Sequence, residues 1–290
     1  MASSIPIYDF TVDDASSIPF EVIPLEEKKS YDPSLHHRHN YYEIFLFVKG
    51  GGEHHIDFKT FDIQSGSVHF LSPGQVHLVQ RALGSYGYVI FFSRDFYSLN
   101  LQNKDILFEL PFLNNNTANP ILNLDAVSSE IIKGLFESLM KEFSSKGAAN
   151  EGIIRSYLNI VMLKCKELYL AQNQNVISNS HPVNKLVHQY KVLVEKNFGK
   201  LHLVKDYAEM LATSPEYLTE ATKKLLGKPA SELISDRIVL EAKRLLLYSD
   251  LSNKEIAHVL NYDDPSYFSR FLKNKLGMSP SEFRTRMGEK

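Results

Sequence analysis

Three histidines and one glutamate in the first third of the chain have the types and the spacing of a metal or ligand site. His37 and His39 are two residues apart, and Glu43 follows four residues later. Alternate side chains of a strand point to one side, so these three share a face if the stretch is a strand. His77 follows a Ser-Pro-Gly turn. Three imidazoles and a carboxylate can hold a Zn, Fe, Ni or Mn ion and leave positions open for a small molecule.

Two other interpretations of the same residues stay open. They can line a polar pocket for an organic ligand, or they can hydrogen-bond one another as part of the core. We expect aromatic side chains, including Phe47 and Phe70, to line the same interior. The residues of the candidate pocket are His37, His39, Tyr41, Glu43, Phe45 and His77.

Four further histidines lie in or near the same predicted strands. His54 and His55 are consecutive, so in a strand they point to opposite faces and only one of them can join the site. We expect His36 and His69 to be surface or structural residues.

Short alternating runs from residue 5 to about residue 101 predict the strands that must position these side chains. Segments 43–48, 53–58 and 86–92 are rich in β-branched and aromatic residues, and three glycines at 50–52 form a turn. The pattern predicts an antiparallel β-barrel or jelly roll.

The histidine segment resembles the cupin motif. It contains HxH, three residues, Glu, six residues and then Gly50, and Gly66 and His77 match the second half of the motif. Ser72 replaces a usual Pro, and Arg81 replaces a usual Asn. The resemblance implies a cupin-like barrel.

Helical periodicity replaces strand alternation after Asp125. Apolar residues recur at helical spacing over 131–140 and over 154–168, which predicts two helices that pack on the barrel, the second of them also being a candidate dimer contact. Cys165 falls on an apolar helix face, where a buried thiol is expected rather than a redox group. The polar run 173–182 is predicted to be a linker.

The last third of the chain repeats a helix-turn-helix pattern, at about 203–226 and 252–276. A predicted helix over 230–249 separates the two copies and is about 30 Å long, close to the roughly 34 Å of one turn of B-DNA. From residue 181 onward there are 18 Lys and Arg against 14 Asp and Glu, so this part carries a charge of about +4 while the whole chain carries −2. Double-stranded DNA is therefore the expected partner.

The second helix of each copy is the candidate recognition helix. Its N-terminal half must offer polar side chains to the major groove while its apolar face packs inward, and we expect Tyr217 and Tyr267 to face inward and Thr222 outward. Arg270 is expected to contact a guanine edge, and Lys273 a phosphate. Two carboxylates make the first copy the weaker base reader. The predicted DNA-contacting residues are Glu216, Thr219, Glu220, Lys223 and Lys224 in the first copy and Ser266, Ser269, Arg270, Lys273 and Asn274 in the second.

Residues 201–286 resemble the DNA-binding domain of AraC/XylS-type bacterial transcription regulators. The match rests on SELI at 231–234, EAKRLL at 241–246, DPSYFSRF at 264–271 and GMSPSEFR at 277–284. Glu220 departs from the family, where this position is often basic. The resemblance implies a cupin-like sensor domain ahead of the DNA-binding domain, with dimerising helices between them.

Taken together, these patterns predict a multidomain α+β protein. A cupin-like sensor barrel (jelly roll) over 1–124 carries a helical hairpin over 125–172, which serves dimerisation or packing. A linker at 173–182 leads to an all-α domain over 183–290 with two helix-turn-helix motifs.

The predicted function is that of a transcription factor, rather than an enzyme, that binds promoter DNA sequence-specifically and is controlled by a small-molecule effector in the barrel. We expect a homodimer, an activator role and RNA polymerase as a further candidate partner. A metal-dependent cupin enzyme fused to a DNA-binding domain is the alternative, with an architectural DNA-binding protein as a third class. No stretch approaches the roughly twenty apolar residues of a membrane span, and the N-terminus lacks a signal-like segment, so we expect a cytoplasmic protein without a membrane partner.

Overall fold

The computed structural model describes residues 7–8, 19–25, 35–99, 107, 110–113, 119–145, 151–173 and 182–288. Its contacts divide the chain into two compact units: an N-terminal unit over 6–176 and a C-terminal unit that includes 177–290. Each unit is described by itself below. Among the described residues, the model contains no helix with the length and apolar character needed to cross a membrane.

Two five-stranded sheets form the framework of the N-terminal unit. The first has the strand order β1-β3-β8-β5-β6 and the second β10-β7-β4-β9-β2. Apart from the parallel β1–β3 pair, the strands pair antiparallel in the described part of the chain. The strands are β1 (Ile7–Tyr8), β2 (Phe20–Pro24), β3 (His37–His39), β4 (Tyr42–Lys49), β5 (Gly52–Ile56), β6 (Lys59–Asp62), β7 (Ser67–Leu71), β8 (Val76–Arg81), β9 (Tyr86–Phe92) and β10 (Ile121–Asn123).

The helices of this unit cover one face of the second sheet. They are α1 (Arg94–Ser98), α2 (Ala126–Ser144) and α3 (Glu151–Gln172). Asp125 caps α2 by accepting a hydrogen bond from the Ser128 amide at 2.7 Å. The predicted helices of 131–140 and 154–168 are thus present, and Cys165 is buried between α3 and the sheet as expected.

The second sheet is buried on both faces. Along β4, Ile44 and Leu46 pack toward the helices, whereas Phe45 and Phe47 pack toward the interior between the sheets. Phe70 was expected to line that interior, and this was wrong. It lies on the helix side, where its ring stacks on Phe112 with centroids 3.9 Å apart. Because both faces are buried, the sequence alone does not show which alternating set points toward the helices.

The C-terminal unit consists of helices around one core. They are α4 (Pro182–Asn197), α5 (Val204–Met210), α6 (Pro215–Leu226), α7 (Ala230–Tyr248), α8 (Asn253–Val259), α9 (Pro265–Leu276) and α10 (Pro280–Gly288). The antiparallel N-terminal sheets and this helical region confirm the predicted α+β class. The α5–α6 and α8–α9 pairs are the two helix-turn-helix copies, and α7 separates them.

The two candidate recognition helices, α6 and α9, are built alike at a spacing of fifty residues. Each begins with proline, and each ends at a left-handed glycine, Gly227 at φ 72° and Gly277 at φ 75°. Glycine suits this position because a side chain strains left-handed backbone. The Ser214 hydroxyl caps α6, and the Asp264 carboxylate caps α9. Sequence and geometry therefore describe a duplicated module.

Candidate functional site

The four residues predicted to bind a metal lie together between the two sheets. β3 pairs with β8 so that His37 lies opposite His77. The single strand expected for His37, His39 and Glu43 was wrong, because the strand ends after His39 and Glu43 belongs to β4 in the second sheet, from which it faces the histidines. His39 Nε2 is 3.1 Å from His77 Nε2 and 3.2 Å from Glu43 Oε1. His77 Nε2 is 3.3 Å from Glu43 Oε2. Each of the three histidines offers one nitrogen within 4.8 Å of the others.

This cluster is buried and can hold its imidazoles uncharged. Its three histidines and Glu43 are each at most 4% exposed. Burial, followed by the neighbouring histidines, holds the pKa of His77 well below its usual value. Neutral imidazoles beside a carboxylate are the ligands that Zn²⁺ and related ions prefer, so the donor set fits such an ion.

Aromatic rings close the cluster, as the predicted pocket requires. The Tyr41 ring centroid is 4.4 Å from that of His39, and the Phe45 centroid is 6.2 Å from that of His77. All six predicted pocket residues therefore meet in one place. What they bind remains a prediction.

Two further histidines extend the cluster across the interior. His54 points inward and His55 outward, as strand alternation predicts, and His55 meets Thr60 and Gln80 at the surface. His54 Nε2 is 3.3 Å from His77 Nδ1, and His54 Nδ1 is 3.0 Å from His69 Nδ1. We expected His69 to be a surface or structural residue, and the surface alternative was wrong because its side chain is fully buried.

The signal for His69 was present in its strand. Ser67, His69 and Leu71 alternate with Val68 and Phe70 along β7, and all five are buried. Alternation places His69 on the face of β7 that points to the intersheet interior. A polar residue in a strand buried on both faces needs a hydrogen-bond partner.

The second candidate site is the outer surface of α6 and α9. Phe268 and Leu272 anchor α9 in the core, while Arg270 is 73% exposed with its Nη2 4.0 Å from Asp264 Oδ2. Because this ion pair is exposed and its charged atoms are far apart, the guanidinium is available to another partner. The predicted contact residues of α9 are exposed or half-buried: Ser266, Ser269, Arg270, Lys273 and Asn274.

The first module presents its predicted residues in the same way. Leu218 and Ala221 anchor α6, and four of the predicted contact residues line a surface groove with Val204 and Pro215. These four residues are Glu216, Thr219, Glu220 and Lys223, with Lys224 exposed nearby.

Three orientations in the recognition helices differ from expectation. Tyr217 and Tyr267, which we predicted to face inward, are 51% and 57% exposed. Thr222, predicted to face outward, is buried, and its hydroxyl donates to the Thr219 carbonyl at 2.9 Å. The buried stripe begins one residue later than predicted in each helix. The two tyrosines occupy equivalent positions, so both modules add an aromatic side chain to their outer surface.

α7 separates the modules and is fixed by a buried charge network. Its 19 residues span about 28 Å. Arg237 Nε lies 2.9 Å from both carboxylate oxygens of Glu195 on α4, and Arg237 Nη1 lies 3.2 Å from Glu241 Oε2. Arg244 is fully buried and also meets Glu241, at 3.3 Å.

Comparison with known proteins matches both halves of the chain. A family model described as an AraC-like ligand binding domain matches residues 28–158, and one described as a helix-turn-helix domain matches residues 207–286. The chain belongs to the AraC/XylS family of transcriptional regulators. As a member of this family, it is a DNA-binding transcription regulator with an N-terminal ligand-binding domain.

Individual proteins are similar to this chain over different lengths. The uncharacterized HTH-type transcriptional regulator YfiF of Bacillus subtilis is 23% identical over 255 residues, which cover 87% of this chain and 79% of YfiF. The HTH-type transcriptional activator RhaR of Escherichia coli strain K12 is 20% identical over 273 residues, which cover 94% of each chain. A similar solved structure is the C-terminal domain of AraT, a response regulator from Geobacillus stearothermophilus. It is 32% identical in sequence, with a TM-score of 0.34, and the match covers 38% of this chain and 88% of that chain.

Proposed function

We propose that this AraC/XylS-family regulator binds promoter DNA sequence-specifically through α6 and α9, and that α9 makes the larger contribution to base recognition. The exposed Arg270 near the middle of α9 is the observation that carries this proposal. An arginine in the major groove can bind guanine O6 and N7 with two hydrogen bonds. Ser266 and Ser269 can donate to or accept from a base or a phosphate, and Lys273 at the end of the helix suits a phosphate.

The first module has the same backbone and a different charge. Glu216 and Glu220 occupy the positions that Ser266 and Arg270 occupy fifty residues later. A carboxylate facing DNA is repelled by phosphates, although it can accept from a cytosine amino group. We therefore assign α6 mainly to positioning, through Lys223 and Lys224, with Glu220 as its candidate base contact.

The two units are proposed to divide the work between sensing and DNA binding. The linker proposed at 173–182 spans the division between the units near residue 176. The cupin-like barrel, proposed for 1–124, binds a small-molecule effector among His37, His39, Tyr41, Glu43, Phe45 and His77. The effector changes DNA affinity to the extent that its own affinity differs between the two states of the regulator.

Dimerisation is proposed through α3, within the helical segment of 125–172. Three apolar side chains of this helix, Ile153, Ile160 and Leu163, are 39%, 43% and 46% exposed. They recur at spacings of seven and three residues, as in a two-helix seam. A homodimer would double the DNA contacts. By analogy with RhaR, which is a transcriptional activator, we propose activation, with RNA polymerase as the further partner and no catalytic role for the barrel.

Selection of bound duplexes from a random library, followed by fluorescence anisotropy, tests the DNA-binding proposal. Arg270→Ala should weaken binding to the selected site by about 5- to 150-fold, because a good bidentate contact discriminates by about 1–3 kcal/mol. It should also relax the preference at one base pair. Lys273→Ala should weaken binding to all sequences alike. It should also reduce, by about 0.9, the magnitude of the slope of the logarithm of the binding constant against the logarithm of the salt concentration.

Lys59→Ala is the matched control, since it removes an exposed cation from β6 in the other unit, away from the proposed dimer helix α3. It should leave DNA binding unchanged. If Arg270→Ala keeps both the affinity and the sequence preference of the unaltered protein, α9 is not the main base-reading helix.

A further inference from the structure

The hydrogen bonds of the N-terminal unit determine which nitrogen of His69 carries a proton. The Ser67 hydroxyl donates to the Gln64 carbonyl at 2.7 Å, and a carbonyl can only accept. The same oxygen is 3.2 Å from His69 Nε2, so it accepts a hydrogen bond from that nitrogen. Burial lowers the pKa of His69 to about 3, which keeps the ring neutral. A neutral imidazole has one N–H, so His69 Nδ1 is unprotonated.

This assignment passes along the chain of rings to His77. His54 Nδ1, at 3.0 Å, must donate to the unprotonated His69 Nδ1. The fully buried His54 ring is neutral because an unpaired charge is costly away from water, and its one N–H is on Nδ1, so its Nε2 is unprotonated. His77 Nδ1 therefore donates to His54 Nε2 at 3.3 Å. The remaining nitrogen of neutral His77, Nε2, then carries a lone pair, and it lies 3.1 Å from His39 Nε2 and 3.3 Å from Glu43 Oε2.

His37 also carries its lone pair on Nε2, and a different contact determines this. Its Nδ1 is 2.7 Å from the Leu35 carbonyl oxygen and must donate to it. A neutral His37 thus also has its lone pair on Nε2. Histidines that bind metals nearly always donate their second ring N–H to a carbonyl, a carboxylate or another acceptor. Two histidines of the cluster show this arrangement, and the carboxylate of Glu43 supplies negative charge beside them.

The cupin resemblance implies a divalent first-row transition metal ion at His37, His39, Glu43 and His77. We propose that His54 and His69 position His77 for that ion. Three imidazole nitrogens and one carboxylate oxygen suit Zn²⁺, Fe²⁺, Co²⁺ or Ni²⁺, whereas Mg²⁺ and Ca²⁺ prefer oxygen ligands. Metal binding goes beyond the DNA-binding function and does not depend on it. The ligands come from β3, β4 and β8, so the ion would connect the two sheets.

Metal titration of the full-length protein tests the site. After removal of metals with a chelator, we expect one equivalent of Zn²⁺ to bind in calorimetry and one equivalent of Co²⁺ to give visible absorption bands. His77→Ala and Glu43→Gln should each weaken binding by more than tenfold. His55→Gln, which alters the outward-facing neighbour of His54, is the matched control and should bind like the unaltered protein.

The positioning role of His54 has its own test. His54→Phe keeps a ring but removes the acceptor for His77 Nδ1, so affinity should fall by about 10- to 100-fold and the Co²⁺ spectrum should shift. His54→Gln keeps an acceptor oxygen and should recover most of the affinity. Equal Co²⁺ affinity and spectra for His54→Phe and the unaltered protein would overturn the positioning role. Absence of stoichiometric Zn²⁺ and Co²⁺ binding by the unaltered protein would overturn the metal site, whether or not the variants fold.

Discussion

Replacing Arg237 by methionine should destabilise the C-terminal unit while leaving the predicted DNA contacts in place. The Arg237 side chain is 4% exposed and lies between two carboxylates, those of Glu195 and Glu241. Its guanidinium carbon is also 3.7 Å from the centroid of the Phe198 ring. One side chain thus joins α4 to α7 by charge, hydrogen bonds and stacking. Methionine keeps the apolar stem and removes the charge.

The expected loss in the free energy of unfolding is about 3 kcal/mol. Breaking a buried ion pair by removing one partner costs roughly 3–5 kcal/mol, because the other charge stays buried without compensation. The Glu195 side chain is 24% exposed, so water offsets part of the penalty and the lower end of the range applies. For a domain of this size, about 3 kcal/mol corresponds to a melting temperature lower by roughly 12–24 °C.

Differential scanning calorimetry of the full-length protein measures this shift. Arg270→Met is the matched control, because its exposed pair with Asp264 contributes under about 1 kcal/mol. Adding Glu195→Leu to Arg237→Met should recover part of the stability, since replacing both members of a buried pair is often tolerated. If Arg237→Met melts within about 2 °C of Arg270→Met, the buried charge network does not stabilise the C-terminal unit.

Three single-site predictions concern the N-terminal unit. Cys165 is fully buried, and burial raises the pKa of its thiol to about 12. Ellman's reagent at pH 8 should therefore label it only after denaturation, and rapid labelling of the folded protein would contradict this. A Cβ added at Gly134 on α2 would have no atom within 4 Å. Gly134→Ala should therefore stabilise the N-terminal unit by about 0.5–1 kcal/mol, and a lower melting temperature would disprove this. Gly87→Ala should destabilise the N-terminal unit by about 1–3 kcal/mol, because the new Cβ would clash with the Leu46 carbonyl oxygen. An unchanged melting temperature would refute this close approach of the two strands.

Strand alternation was enough to predict much of the histidine cluster. Alternation put His37 and His39 on one face and separated His54 from His55, but it also placed Glu43 on the same strand, whereas Glu43 lies on β4 in the second sheet and meets His39 across the interior. It failed for Phe70, because the strand that carries it is buried on both faces: alternation separates Phe70 from Ser67 and His69 but does not show which of the two faces meets the helices. Which face meets the helices depends on packing that local sequence does not encode.

Charged and aromatic residues in the helices were harder to predict. An arginine on a predicted helix is ordinarily assigned to the surface, and the burial of Arg237 depends on Glu195, which is 42 residues away. The exposed Tyr217 and Tyr267 were misassigned for the converse reason: aromatic residues are usually buried, but these two lie outside the core stripe formed by Leu218 and Phe268. For Arg237, a long-range ion pair overrides the usual exposure of arginine. For the two tyrosines, no long-range contact among the described residues holds the ring in the core, so the usual burial of aromatic residues does not apply.

The duplication separates what the fold supplies from what the side chains supply. α6 and α9 share a proline start, a left-handed glycine end and an outward tyrosine, so a difference in their DNA contacts must come from the remaining outer residues. Those residues differ most in charge, with Glu220 where the second copy has Arg270. Because phosphates surround every base in the major groove, a carboxylate at this position opposes binding to DNA of any sequence, whereas a guanidinium favours binding and also distinguishes guanine. The unequal roles proposed for the two modules therefore follow from the charges of their outer side chains, above all Glu220 against Arg270, on a matching backbone.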